Sequence, residues 1–161
     1  MRYRVLPSPI GEIVVWGEDG VLSGLSFTDS GKASAVGQSW QRDDTAFNDA
    51  AEQLRAYFAG TLTAFEVRLE PRGTAFQRRV WNALTDIPYG TITTYGRLAS
   101  GLGDPKATRA VGLANGRNPI AIVIPCHRVI GADGSLTGYG GGMHRKQWLL
   151  AHERGEARLR W

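Results

Sequence analysis

Ile120-Ala121-Ile122-Val123-Ile124-Pro125-Cys126-His127-Arg128-Val129 is an apolar run that leads to the only cysteine of the chain, with an imidazole directly beside it. The run reads as a short apolar strand over Ile120 to Ile124, and Pro125 as the break after it. A thiol attacks as its thiolate, and a free cysteine, with a pKa of about 8.5, is mostly protonated at neutral pH, so a reactive sulfur needs a base or a positive charge nearby. On an extended strand Cys126 and His127 point to opposite faces, whereas a turn after Pro125 brings both to one site. A second reading stays open, in which Cys126 is a small buried core residue.

Upstream, Asn115-Gly116-Arg117-Asn118-Pro119 is a turn-rich connection. Before it, Asp104-Pro105 predicts a helix cap with proline at the first helical position, and a helix from Lys106 to about Asn115. Gly101-Leu102-Gly103 forms a tight turn after an earlier helix that starts around Thr93-Thr94 and carries Tyr95, Leu98, Ala99 and Leu102. Two short helices joined by a glycine turn are a helix-turn-helix candidate, and equally an ordinary helical hairpin. The second helix presents mostly small residues around Arg109, so its backbone can approach a nucleic-acid groove closely while the arginine projects into it. Further back, Thr74 caps a helix with Phe76, Val80 and Leu84 on one face and Trp81 adjacent, ending near Ile87-Pro88-Tyr89-Gly90.

Glu70-Pro71-Arg72-Gly73 marks the change from a β-rich first part to a helix-rich second part. The first part opens with β-rich stretches at Tyr3 to Leu6, Glu12 to Trp16 and Val21 to Phe27, the last two joined by an Asp19-Gly20 hairpin signal. Thr28 to Gln41 reads as a loop. Asp43-Asp44 is then expected to cap a helix whose Phe47, Ala51, Leu54 and Phe58 share one face, with Gly60 ending it. Phe65, Val67 and Leu69 alternate with charged residues, as in a strand with one face buried. Downstream of the cysteine lie a turn at Gly131 to Ser135, a glycine-rich loop from Leu136 to Gly142, and a last helix from about Arg145 to Arg154.

With 161 residues, 42% of them hydrophobic and 21% charged, the chain can build one ordinary domain or two small ones. Its net charge of +4 suits a polyanionic partner without requiring one. One cysteine forbids an intramolecular disulfide, and His127, His144 and His152 lack metal-binding spacing, so no metal is expected. The start has no signal-like apolar core and no run approaches a membrane span, which predicts a cytoplasmic protein.

Pro-Cys-His-Arg-Val, preceded by Asn-Pro and followed by Gly-Tyr-Gly-Gly-Gly, resembles the O6-alkylguanine-DNA alkyltransferase family, the methylated-DNA–protein-cysteine S-methyltransferases. The likeness covers nearly all of the second half, through Phe76-Gln77-Arg78-Arg79-Val80-Trp81, Ile87-Pro88-Tyr89-Gly90, Tyr95-Gly96, Arg109-Ala110-Val111-Gly112, Asn115 to Pro119, Ile124 to Val129 and Trp148 to Glu153. It implies an α+β fold: a small ribonuclease H-like α/β domain over residues 1–70, and a helical winged-helix or helix-turn-helix domain over residues 71–161. It implies direct-reversal DNA repair, in which one alkyl group passes irreversibly from O6-methylguanine, and less well from O4-methylthymine, to Cys126 without any cofactor.

Carried over by resemblance, His127 takes the proton of Cys126 through a water, and Glu153 orients the imidazole. Tyr95 protonates the leaving guanine, Lys146 assists electrostatically, and Asn118 holds the active-site turn. Arg109 fills the gap left by a flipped base, while Ala110, Gly112 and Ala114, with Tyr95, lie along the minor groove of double-stranded DNA. Tyr139, Gly140 and Gly141 shape the base pocket. On the residues alone, Tyr95 reads equally as a core tyrosine, Lys146 and Glu153 as surface charges, and Asn118 as a plain turn residue. A monomer is expected, with cooperative assembly on DNA left open. Two rivals remain: a lesion-binding relative that recruits other factors without transfer, in which tryptophan commonly replaces the cysteine, and an unrelated Cys-His hydrolase with turnover.

Overall fold

The computed structural model describes residues 1–32, 36–37 and 39–156, so parts of the expected loop from Thr28 to Gln41 and the end of the second expected domain, 157–161, lie outside the described residues. Three strands, β1 (Arg2–Leu6), β2 (Ile13–Glu18) and β3 (Val21–Phe27), form an antiparallel meander, and the short β4 (Gln41–Arg42) pairs in parallel with β1 to give the order β3-β2-β1-β4. Asp19 (φ 51°) and Gly20 (φ 77°) both take the left-handed conformation that a two-residue hairpin demands. Trp16 lies opposite Gly24, whose absent side chain leaves room for the indole: a Cβ there would stand 1.9 Å from the ring.

Helix α1 (Asn48–Phe58) buries Ala51, Leu54 and Phe58 on one face, with Phe47 just before it, as their spacing requires. It closes in a Schellman turn, in which Gly60 (φ 80°) donates to Tyr57 O and Thr61 to Ala56 O. Its start is not the expected one. Asp43 and Asp44 do not cap it; Phe47 holds the N-cap position with φ 56° and no side-chain cap. The Asp43 carboxylate is committed elsewhere, accepting from the backbone and hydroxyl of Thr45 and from Arg2.

The stretch around Phe65, Val67 and Leu69 keeps its alternating burial but makes no strand, only a bridge from Leu69 to Leu22. The reason is a competing partner: the Gln53 amide takes both the N–H and the C=O of Glu66 at 2.7 and 3.1 Å, which a neighbouring strand would otherwise bind.

Helix α2 (Ala75–Thr85) begins with a full capping box between Thr74 and Gln77 and buries Val80, Trp81 and Leu84. The two-residue β5 (Thr93–Thr94) leads into α3 (Tyr95–Gly101), and α4 (Thr108–Gly116) packs on both α2 and α3. Asp104-Pro105 does not cap α4. It opens a turn closed by Ala107 N–H on Asp104 O (3.0 Å), and the helix starts at Thr108; proline pre-sets the first central position of a turn as readily as the first position of a helix.

The cysteine-bearing segment also departs from expectation. Ile120 to Ile124 is no strand: Ile120 bridges Leu25 on the free edge of β3, and the chain then turns, with Ile124 N–H on Ile120 O and Ile122 at φ 72°. A β-branched residue is strained there, and the Asn118 side chain holds the turn by accepting from Ile120 N and donating to Ile124 O (3.0 and 2.8 Å). A 3₁₀ turn (Cys126–Arg128), β6 (Val129–Ile130, parallel to β5) and α5 (Met143–Glu153) complete the chain. One buried core runs from Ile13 and Val15 through Tyr57, Trp81 and Val111 to Leu149, so both halves share it. No helix among the described residues is long and apolar enough to cross a membrane.

Candidate active site

Residues Cys126 to Arg128 form the 3₁₀ turn after Pro125, and all of them are buried. The turn replaces the alternation of a strand, so His127 reaches back to α5, where its Nε2 lies 2.7 Å from Glu153 Oε2. Glu153 is a hub. It also accepts from Tyr57 OH (2.7 Å), from Arg128 Nε and Nη2 (2.8 and 3.0 Å) and from Gly90 N–H (3.3 Å). Burial alone would raise its pKa, but the His127 and Arg128 bonds and charges hold it well below the usual carboxylate range.

That ionised carboxylate can only accept, so Nε2 of His127 carries the hydrogen and Nδ1 has the lone pair. Nδ1 is buried without a protein partner. Burial pushes the His127 pKa below 6.5, against the opposing pull of Glu153, which keeps the ring neutral and able to take a proton at neutral pH. Burial likewise raises the Cys126 thiol, only partly countered by the Asn118 hydrogen bond and the charges of Lys32 and Lys146. At rest the Cys126 thiol is therefore held protonated, and the imidazole of the residue that follows it is held neutral.

Lys146 is fully buried rather than a surface charge. Its Nζ donates to Val129 O (2.6 Å) and Thr137 O (3.0 Å), tying α5 to β6 and to the start of the glycine-rich loop. Tyr95 OH donates to the same Thr137 carbonyl at 3.1 Å. Tyr139, Gly140, Gly141 and Asn118 line a cavity of about 20 Å³ with Cys126, whereas Tyr95 lines a neighbouring open groove with Arg109, Gly112 and Leu113. Gly116 and Gly138 border both.

On α4, Arg109 and Ala110 are exposed and Gly112 is half-buried under the Tyr95 ring. Ala114 is a correction. It is buried, and its carbonyl accepts from Trp81 Nε1 at 2.8 Å, because position 114 falls on the face that packs on α2 and so offers nothing to a groove.

Sequence reasoning passed over several residues. Tyr57 and Lys32 reach the site from the first half of the chain, and no local motif announces either. Arg128 lay inside the quoted motif, but its bidentate bond to Glu153 was legible only in three dimensions. Leu113 is 68% exposed on the same surface as Arg109; its i, i+4 spacing from Arg109 was the available signal.

The ribonuclease-like domain model of the 6-O-methylguanine DNA methyltransferases matches residues 1–71, and the DNA-binding domain model of the same family matches residues 75–155. A methylated-DNA–protein-cysteine methyltransferase of Mycolicibacterium paratuberculosis is 57% identical over 96% of this chain and 93% of its own. One from Methanosarcina acetivorans is 52% identical over 95% and 98%. Among solved structures, Mycobacterium tuberculosis OGT in complex with DNA superposes with a TM-score of 0.92 at 52% identity, covering 98% of this chain and 95% of that one.

Proposed function

The chain belongs to the 6-O-methylguanine DNA methyltransferase family, a ribonuclease-like domain followed by a DNA-binding domain, and from that premise we propose that Cys126 is its alkyl acceptor. It is a DNA-repair transferase. The observation that supports the assignment of the cysteine is the hydrogen bond between His127 Nε2 and Glu153, which leaves Nδ1 as a buried base on the residue that follows the only cysteine.

The steps balance without a cofactor. The thiol proton passes through one water to His127 Nδ1, and the imidazolium is stabilised by the Glu153 carboxylate. The thiolate attacks the alkyl carbon in line with the C–O6 bond; the S–C bond forms, and the C–O6 electron pair leaves on the guanine oxygen. Tyr95 supplies a proton to that side of the base, and Lys146 offsets charge through its field at the sulfur. A thioether is not a leaving group at neutral pH, so each molecule acts once. The raised thiol pKa suits such a protein, because a sulfur that can be spent only once is kept protonated until a base occupies the pocket.

Chemistry at O6 of a paired guanine requires extrusion of the nucleotide. Arg109 is assigned to the vacated stack, and Ala110 and Gly112 to close approach of α4 in the minor groove, whose degenerate pattern suits repair without sequence preference. The substrate is O6-methylguanine, with O4-methylthymine a weaker one. The protein works as a cytoplasmic monomer divided near residue 70, with cooperative loading on DNA a separate question.

Intact-mass measurement after incubation with O6-methylguanine duplex DNA tests the assignment. The expected result is one methyl on Cys126, saturating at one equivalent, and none on a Cys126→Ser variant that still binds DNA. Release of product beyond one equivalent would replace transfer by hydrolysis, and tight binding without a mass gain would replace it by recruitment.

A further inference from the structure

Lys32 belongs to the first half of the chain, yet its side chain lies in the site. Its Nζ donates to Gly116 O (2.9 Å) and Asn118 O (2.8 Å), and it lines the Cys126 cavity with Phe27, Tyr139 and Gly140. Its Cε and Nζ sit 3.5 Å from where a Cβ of Gly140 would stand, so the lysine rests directly on the glycine-rich loop. The cavity left beside the sulfur is about 20 Å³, room for roughly one water and far too little for a bicyclic base.

A wall must therefore move before any base reaches the thiol. Most of the walls are tied down. Phe27 is core, Asn118 holds the strained turn, and the loop is pinned by Arg145 on Gly141 O and Lys146 on Thr137 O. Tyr139, whose buried hydroxyl has no partner, is carried on that pinned loop and packs against Phe27 and Gly141, whereas Lys32 is a single flexible side chain anchored only by its tip, to two backbone carbonyls. Burial lowers its pKa, so the ammonium regains hydration when it leaves.

We propose that the Lys32 side chain is a gate on the base pocket, filling the space beside Cys126 in the resting protein and withdrawing when a flipped base enters. The substrate class is that of the proposed reaction, on which this inference rests: an O6-alkylated guanine, in DNA or as the free base. Gating through Lys32 makes the first half of the chain a determinant of entry to the sulfur.

The test compares wild type, Lys32→Ala and Lys32→Arg for the rate of mass gain from free O6-benzylguanine, and for iodoacetamide labelling of the sole cysteine. Lys32→Ala is expected to react roughly tenfold faster in both, as for a pocket open about a tenth of the time in the wild type. Lys32→Arg, which keeps bulk and charge, is expected to be no faster than wild type, and Lys32→Ser repeats the truncation if the alanine variant folds poorly. Equal or slower reaction of the truncated proteins overturns the gate and makes Lys32 a fixed electrostatic partner of the sulfur. Failure of the wild type to gain mass from benzylguanine would count against the alkyl-acceptor assignment instead, while the labelling rates still decide the gate.

Discussion

Tyr57 and Glu153 stand 96 positions apart and meet in a buried 2.7 Å hydrogen bond, the phenol of α1 donating to the carboxylate that orients His127. The ribonuclease-like half thus reaches the hydrogen-bond network of the other half directly. Desolvation of the phenol raises the Tyr57 pKa well above its ordinary value, and the negative charge and hydrogen bond of Glu153 add to that, so the phenol stays a donor throughout the useful pH range. Tyr57 also packs edge-on against His152 and Tyr89, which fixes its hydroxyl without further hydrogen bonds.

Tyr57→Phe keeps that packing and removes only the donor. A hydrogen bond to a charged group contributes about 1.5–3 kcal/mol, and a loss of that size is expected in urea unfolding. Methyl transfer should persist at a reduced rate, because Arg128 and His127 still hold Glu153. An unchanged unfolding midpoint would show that the bond contributes nothing net.

Acid sensitivity follows from the same network. His127 has its pKa depressed below 6.5 by burial, so the unfolded chain takes up a proton first, and its stabilising contribution, complete above pH 6.5, is lost as pH falls. Glu153 is depressed from 4.5, so its contribution is complete above 4.5 and is lost at still lower pH. Stability should therefore begin to decline below about pH 6.5 and fall further below 4.5. Glu153→Gln strands Arg128 in the interior at a cost of about 3–5 kcal/mol at neutral pH, and its acid limb should be shallower below pH 4.5, while the His127 part below 6.5 remains. A wild-type curve that is flat from pH 7 to 4.5 would contradict the His127 argument, and one that does not fall further below 4.5 would contradict the Glu153 argument.

Periodicity and capping made most of the fold legible: the three opening strands with the Asp19-Gly20 hairpin, the apolar face of α1, the Thr74 cap and the Gly60 ending all depend on neighbours in sequence. Three of the departures share one cause. Asp43 found Thr45 and Arg2, Glu66 found Gln53, and the Ile120 segment found Asn118 and Leu25; in each case a side chain or a distant edge satisfied backbone or carboxylate groups that local rules had allotted elsewhere. In the site, the motif supplied Cys126, His127 and Glu153, while Tyr57 and Lys32 come from a stretch with no motif. Ala114 failed by helical phase, since a run of small residues does not itself say which of them face outward.

The glycine-rich loop offers an internal contrast. A Cβ on Gly141 would lie 2.7 Å from both the Phe27 and Tyr139 rings, whereas one on Gly140 meets only the Lys32 side chain at 3.5 Å. Gly141→Ala should cost about 1–3 kcal/mol by overpacking and slow transfer by displacing Tyr139. Gly140→Ala should melt close to wild type. Thermal unfolding and single-turnover mass kinetics read both, and equal behaviour of the two variants would contradict this packing.

On the proposed assignment, helix α4 separates contact with DNA from chemistry at the sulfur. Arg109 and Leu113 are exposed one helical turn apart, and neither lines the Cys126 cavity. If Arg109 occupies the stack vacated by the flipped nucleotide, Arg109→Ala should slow repair of duplex O6-methylguanine by at least tenfold while leaving the reaction with free O6-benzylguanine near wild type, since extrusion costs a few kcal/mol and each 1.4 kcal/mol is about tenfold. Leu113→Ser should weaken duplex binding with little change in its salt dependence, because the lost contact is apolar. Arg117→Ala, also on the exposed face of this surface, should lower the slope of log K against log salt by roughly one if it neutralises a phosphate. Equal losses of Arg109→Ala on duplex and on free base would place that arginine in the folding or chemistry of the site rather than in the DNA stack.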